Sequence, residues 1–213
     1  SLLSEDYTSV ELIHTVISSY DYFDRIAELD IQELYELLEE SALYMGEEYY
    51  FFASTMLNPN IPGCRIQPFD YYTLGHHKFV DEINAIYSHK ETYSILNSLQ
   101  KIFKLNDFAA FCDLNSVLQD VLDSQFLDPD YQESFGAFLY NNIGSSSEWK
   151  NKLICLKYTF YAIKVMELIA DYLGLGPITN LGFNKTALAT YIVGNLVETP
   201  SELYFNLKYS DRV

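Results

Sequence analysis

The chain has 213 residues, of which 49% are hydrophobic and 20% charged, with nine glycines and six prolines. That length suits one large domain or two small ones, and that composition excludes disordered, collagenous and low-complexity classes. Thirty acids against thirteen bases give a formal charge of −17, and only Arg25, Arg65 and Arg212 carry a guanidinium, so direct nucleic-acid binding and docking on anionic membranes are both disfavoured.

Apolar residues recur three and four apart along most of the sequence, behind capping signatures, which predicts helix after helix. Thr8-x-x-Glu11 is a capping box ahead of Val10, Ile13, Val16 and Ile17. Asp30-x-x-Glu33 opens a second helix, read over 30–48, with Ile31, Leu34, Leu37 and Leu38 as its apolar side. The extended irregular stretch from Asn58 to Gly75 holds Pro59, Pro62 and Pro68, half of all prolines. A loop that long is a functional segment or a boundary, so it marks a possible sub-division of an otherwise single domain, 1–213.

Further helices are expected near 76–88, 91–104, 107–125, 130–142 and 185–197. Ser145-x-x-Glu148 opens a long helix, 146–173, which Gly174 stops. Within it Lys150, Lys157, Lys164 and Asp171 repeat every seven residues, leaving one narrow polar stripe on a helix otherwise apolar all round, the pattern of a central, mostly buried helix. Thr199-Pro200-Ser201-Glu202 combines a cap, a proline at the first helical position and a following acid, which predicts a short C-terminal helix. No strand pair is convincing. The expected fold is therefore all-α, an irregular bundle of about eight to nine helices around the apolar helix 146–173.

The negative charge is local. Residues 1–50 hold thirteen acids against one base, a net −12, leaving −5 for the remaining 163 residues. On a helix over 30–48, Glu33, Glu36, Glu40 and Glu47 share one face opposite Leu34, Leu38 and Met45, and their mutual repulsion calls for a cation from elsewhere. Nineteen tyrosines and fourteen phenylalanines accompany one tryptophan. Runs such as Glu47-Glu48-Tyr49-Tyr50-Phe51-Phe52 and Phe69-Asp70-Tyr71-Tyr72 put aromatics on every side of the chain, and tyrosine mixed with acid is a common interface composition. An aromatic groove of Tyr49, Tyr50, Tyr71 and Tyr72 beside the acidic face of Glu33, Glu36, Glu40 and Glu47 is thus the candidate docking surface.

Catalytic signals are sparse. Glu11-x-x-His14 has the spacing of carboxylate di-metal bundles but occurs once, and His77 with Asp81 would have to supply the remaining ligands. Lys157 and Lys164 could instead surround an anion. Cys64 beside Arg65, with His76 or His77 following, writes a cysteine–histidine pair without the sequence signature that makes one persuasive. No phosphate loop, nucleophile elbow, zinc-protease or calcium-loop pattern is present, so no cofactor is expected. Residues 183–208 lack the basic recognition helix of a helix-turn-helix.

The expected function is therefore that of a non-enzymatic acidic interaction module, of adaptor, inhibitor or toxin-neutralising type, docking a basic protein partner. The alternative is a helical-bundle metal- or ligand-binding enzyme. Three widely spaced cysteines, Cys64, Cys112 and Cys155, point to reduced thiols and a cytoplasmic-type compartment. The chain starts at Ser1 rather than methionine, which leaves room for a processed leader.

Overall fold

A computed structural model of the chain describes residues 8–40, 42–45, 48–51, 54–55, 89–110, 112–139, 154–198 and 203–205. The protein is mostly helical, with seven α-helices among these residues: α1 (Val10–Tyr22), α2 (Ile31–Glu40), α3 (His89–Lys101), α4 (Leu105–Ala109), α5 (Leu114–Asp123), α6 (Leu156–Tyr172) and α7 (Lys185–Gly194). Three short antiparallel pairings join them: β1 (Thr8–Ser9) with β4 (Ser54–Thr55), β2 (Ala42–Met45) with β3 (Glu48–Phe51), and β5 (Leu196–Glu198) with β6 (Leu203–Phe205). Two compact units are distinguished, Ser1–Val117 and Leu118–Val213, the division falling within α5.

In the first unit α1 and α3 lie side by side and parallel. Lys90 Nζ meets Glu11 Oε2 at 2.8 Å, His14 Nε2 meets Asn97 Oδ1 at 3.1 Å, and Lys101 Nζ meets Asp21 Oδ2 at 3.0 Å, so both helices climb in the same direction. Val10, Ile13 and Ile17 of α1, Leu34 and Leu38 of α2, and Ile95, Leu96 and Leu99 of α3 are buried, the three-and-four spacing that the periodicity predicts. The Asp30 cap is formed, its Oδ1 accepting from the Glu33 amide at 3.1 Å.

The expected helix 107–125 is two helices. Asp113 caps the second: its Oδ1 accepts from the Asn115 amide at 3.0 Å and its Oδ2 from Ser116 Oγ at 2.8 Å. Those bonds, led by the one from Ser116, hold the Asp113 carboxyl below its usual range.

The second unit departs further from expectation. Residues 130–139 are turns and extended chain in place of the helix expected over 130–142. Asp128-Pro129-Asp130 starts a turn in which the Tyr131 amide donates to Asp128 O at 3.2 Å and the Asp130 amide to Asp128 Oδ1 at 3.0 Å, a use of proline and aspartate that competes with helix. The chain then returns alongside itself, Phe126 N donating to Ala137 O at 2.8 Å and Gly136 N to Phe126 O at 2.7 Å. Phe126, Ala137, Leu139, Ile154 and Tyr191 form a buried cluster. Phe138, fully buried, packs edge-on to Phe183 at 5.9 Å.

Helix α6 begins at Leu156, after Ile154 and an extended Cys155 with φ −152° and ψ 160°, so the long helix starts later than its capping box implies. Residues 140–153 lie outside the described residues. Thr159, Ala162, Val165, Met166, Ile169 and Ala170 are buried, while Lys157, Phe160, Glu167 and Asp171 are exposed. The polar stripe therefore faces water and takes an aromatic ring with it.

Thr159 also holds the returning chain, because its Oγ1 accepts from the buried Phe138 amide at 3.0 Å. Thr159→Val removes that acceptor without changing the shape, and orphaning a buried amide costs about 1–3 kcal/mol. A lower urea midpoint is expected for the valine variant but not for Thr159→Ser.

Three helices end in the same backbone motif. After α6, Leu175 N donates to Ala170 O at 2.9 Å and Gly174 N to Asp171 O at 3.1 Å, with Gly174 at φ +68°, the glycine stop the sequence predicts. Helices α1 and α3 close the same way, but with Asp24 at φ +56° and Phe103 at φ +59° in the glycine position. Aspartate tolerates that conformation; for phenylalanine it costs roughly 1–2 kcal/mol.

Two further expectations are corrected. Helix α2 ends at Glu40, and residues 42–45 and 48–51 pair as β2 and β3 within the range of the expected helix 30–48 and just beyond it. Residues 203–205 are a strand instead of the short C-terminal helix. The missed signals are in the sequence: Gly46 between two runs rich in apolar and aromatic residues, and Leu196-Val197 and Leu203-Tyr204-Phe205 on either side of residues 199–202.

Candidate functional site

The acidic surface is built on α2, whose burial of Leu34 and Leu38 turns Glu33 and Glu36 outward. Glu36 Oε1 accepts from Gln32 Nε2 at 2.8 Å. Glu39 is half-buried and accepts from Tyr35 OH at 3.3 Å; burial first, then the Glu39 charge, raises the Tyr35 phenol above its ordinary pKa. The Tyr35 ring in turn lies under Lys104, whose Nζ is 5.5 Å from its centroid. Glu40 is the last residue of the helix.

The described cations of this unit are engaged elsewhere. Among the described residues they are Arg25, Lys90, Lys101 and Lys104, and they face Glu28, Glu11, Asp21 and Asp107 respectively. No ion pair to Glu33 or Glu36 occurs among the described residues. Among the described residues no cation relieves the repulsion between these carboxylates on one helical face.

Of the aromatic half, Tyr49 and Tyr50 belong to β3, in register with Tyr44 and Leu43. Tyr71, Tyr72 and Glu47 lie outside the described residues, as does the whole proline-rich loop. What the sequence did not single out is a set of rings at one end of the α1–α3 pair. Tyr22, Phe23 and Phe103 are 83%, 67% and 85% exposed. Periodicity marks helix interiors and has no signal for a ring left outside at a helix stop.

The metal candidates are not assembled by the described residues. Glu11 is held by Lys90. His14 spends Nε2 on Asn97 and Ser18, 3.1 and 3.4 Å away, and packs edge-on to Tyr93 at 6.0 Å. Burial, as the largest influence, lowers the His14 pKa. His77 and Asp81 lie outside the described residues, among which no group of three His, Cys, Asp or Glu converges.

The anion reading is not supported either. Lys157 is exposed, and Lys164 pairs with Glu167 at 2.6 Å. The neighbouring cleft of about 450 Å³ is lined by Glu167, Asp171, Gly174 and Gly176, and its carboxylates would repel an anion. Cys112 and Cys155 are buried free thiols; burial pushes the Cys112 pKa up to about 12 and raises that of Cys155, which makes both poor nucleophiles. Cys64 lies outside the described residues. None of the described helices is long and apolar enough to cross a membrane.

Comparison of the chain with family models, with curated proteins and with solved structures finds no match.

Proposed function

We propose that this protein is a non-enzymatic helical interaction module that docks a basic protein partner through its acidic, tyrosine-rich N-terminal half. The single observation that supports the reading is the exposed face of α2. Glu33 and Glu36 point to solvent there, while the described cations of the same unit are committed to other acids. Concentrated charge of one sign steers an oppositely charged partner and sets which partner is accepted. The seven described helices are read as part of the expected eight to nine.

Reversing the face tests the reading. The triple variant Glu33→Lys, Glu36→Lys, Glu40→Lys is expected to bind a lysine-rich peptide at least about tenfold more weakly in low salt, with the wild-type advantage shrinking as salt screens the pair. Fluorescence anisotropy reads the affinity and circular dichroism confirms the fold. Equal affinity for both proteins would sink the reading.

A further inference from the structure

The ends of α1 and α3 combine exposure and strain at one place. The Lys101–Asp21 contact at 3.0 Å sets the two helix ends side by side. Tyr22 and Phe23, packed edge-on at 5.1 Å, follow Asp21 directly, and Phe103 follows Lys101 by two residues. Three large rings this exposed at one end of a helix pair, two of them in contact, mark an interaction site more often than solvated surface does. Phe103 adds a second sign. It occupies a left-handed position that glycine would fill without penalty, as Gly174 does after α6, yet its side chain is 85% exposed and so has little packing to offset the strain. The return for the strain is the pair of helix-stop bonds, Lys104 N to Leu99 O and Phe103 N to Gln100 O, which glycine would make as well, so the fold itself does not use the ring.

The surroundings say what covers these rings. Arg25, Lys101 and Lys104 are bound by Glu28, Asp21 and Asp107, while no ion pair to Asp24, Glu33 or Glu36 occurs among the described residues. Ring faces at this end already accept cations: Arg25 sits 5.8 Å over Tyr20 and Lys104 5.5 Å over Tyr35. An anionic lipid surface or a nucleic acid would be repelled by this charge.

We propose that Tyr22, Phe23 and Phe103 form the apolar anchor for a basic amphipathic protein segment, whose lysines or arginines meet Asp24 and the acids of α2 while its apolar residues cover the rings. This rests on the reading that the partner is basic and adds where, and by which side chains, it is gripped. The arrangement is that of an interface with buried aromatic anchors inside a charged rim.

The test uses the full chain and two labelled helical peptides of equal charge, one of lysine and leucine and one of lysine and alanine. Wild type is expected to bind the leucine peptide at least about tenfold more tightly, since burying several leucines is worth more than one decade of affinity. Phe103→Gly is expected to erase that preference while its melting temperature stays level or rises by a few degrees. A retained preference in Phe103→Gly, or a lowered melting temperature showing that the ring is structural, overturns the proposal. If Phe103→Gly and the double variant Tyr22→Ser, Phe23→Ser bind both peptides like wild type while Glu33→Lys with Glu36→Lys weakens both, the anchor is wrong and the basic-partner reading stands. Failure of wild type to bind either peptide removes both. Concentration-dependent dimerisation of wild type lost in Phe103→Gly, without peptide binding, would assign the rings to a second copy and overturn the proposal.

Discussion

Gly136→Ala is expected to destabilise the second unit by roughly 3–5 kcal/mol, combining a strained backbone with overpacking. Gly136 sits at φ +96°, where an L side chain is disfavoured. A Cβ built there would lie 2.1 Å from the Ala187 carbonyl oxygen and 2.7 Å from the Leu188 amide nitrogen. Those atoms belong to the backbone of α7, so no side chain can swing aside. The helix or the returning chain must shift, and the shift would disturb the Phe126, Ala137, Leu139 and Tyr191 cluster. Gly174→Ala supplies the control, since its φ of +68° is also positive but nothing lies within 4 Å of the added carbon. It should lose only the conformational part, about 1 kcal/mol. Urea unfolding followed by circular dichroism separates the two, and equal losses would refute the close approach.

Acid should destabilise the first unit before its carboxylates titrate. His89 opens α3 fully buried, and burial pushes its pKa down to about 3, while in the unfolded chain it titrates at about 6.5. The helix N-terminus it occupies also disfavours a positive charge. Between those values the unfolded state carries the extra proton, so stability is complete above about pH 6.5 and falls as pH drops toward 3. The expected slope approaches 1.4 kcal/mol per pH unit, or about 2 kcal/mol lost in all by pH 5, above the ordinary carboxylate range. His14, whose pKa is also lowered by burial, adds with the same sign. His89→Gln should flatten the slope whatever it does to absolute stability. An unchanged slope in that variant would show that His89 does not carry the effect.

Much of the helical scaffold could be read from local chemistry. The three-and-four spacing named Val10, Ile13, Ile17, Leu34 and Leu38, all of them buried, while Val16, Ile31 and Leu37 of the same runs are half-buried, and Asp30 and Gly174 marked a helix start and a helix stop. These are short-range rules: a cap or a glycine stop is satisfied by residues within a turn of itself. Errors arose where two local signals competed. At residues 128–136 the Asp-Pro-Asp turn and the positive φ of Gly136 won over an apolar period that also suits a helix. At 42–51 the chain pairs β2 with β3 where periodicity alone extended α2.

The candidate site divides along the same line. Composition located the negative charge in the first fifty residues, because charge is counted without knowing the fold. Which carboxylates remain available is a different matter, because it depends on partners distant in sequence: Glu11 is taken by Lys90 and Asp21 by Lys101, whereas Glu33 and Glu36 face solvent. The exposed rings of Tyr22, Phe23 and Phe103 are likewise a consequence of packing. A phenylalanine is apolar wherever it stands, and only the parallel pairing of α1 with α3 brings these rings to one end and leaves them uncovered.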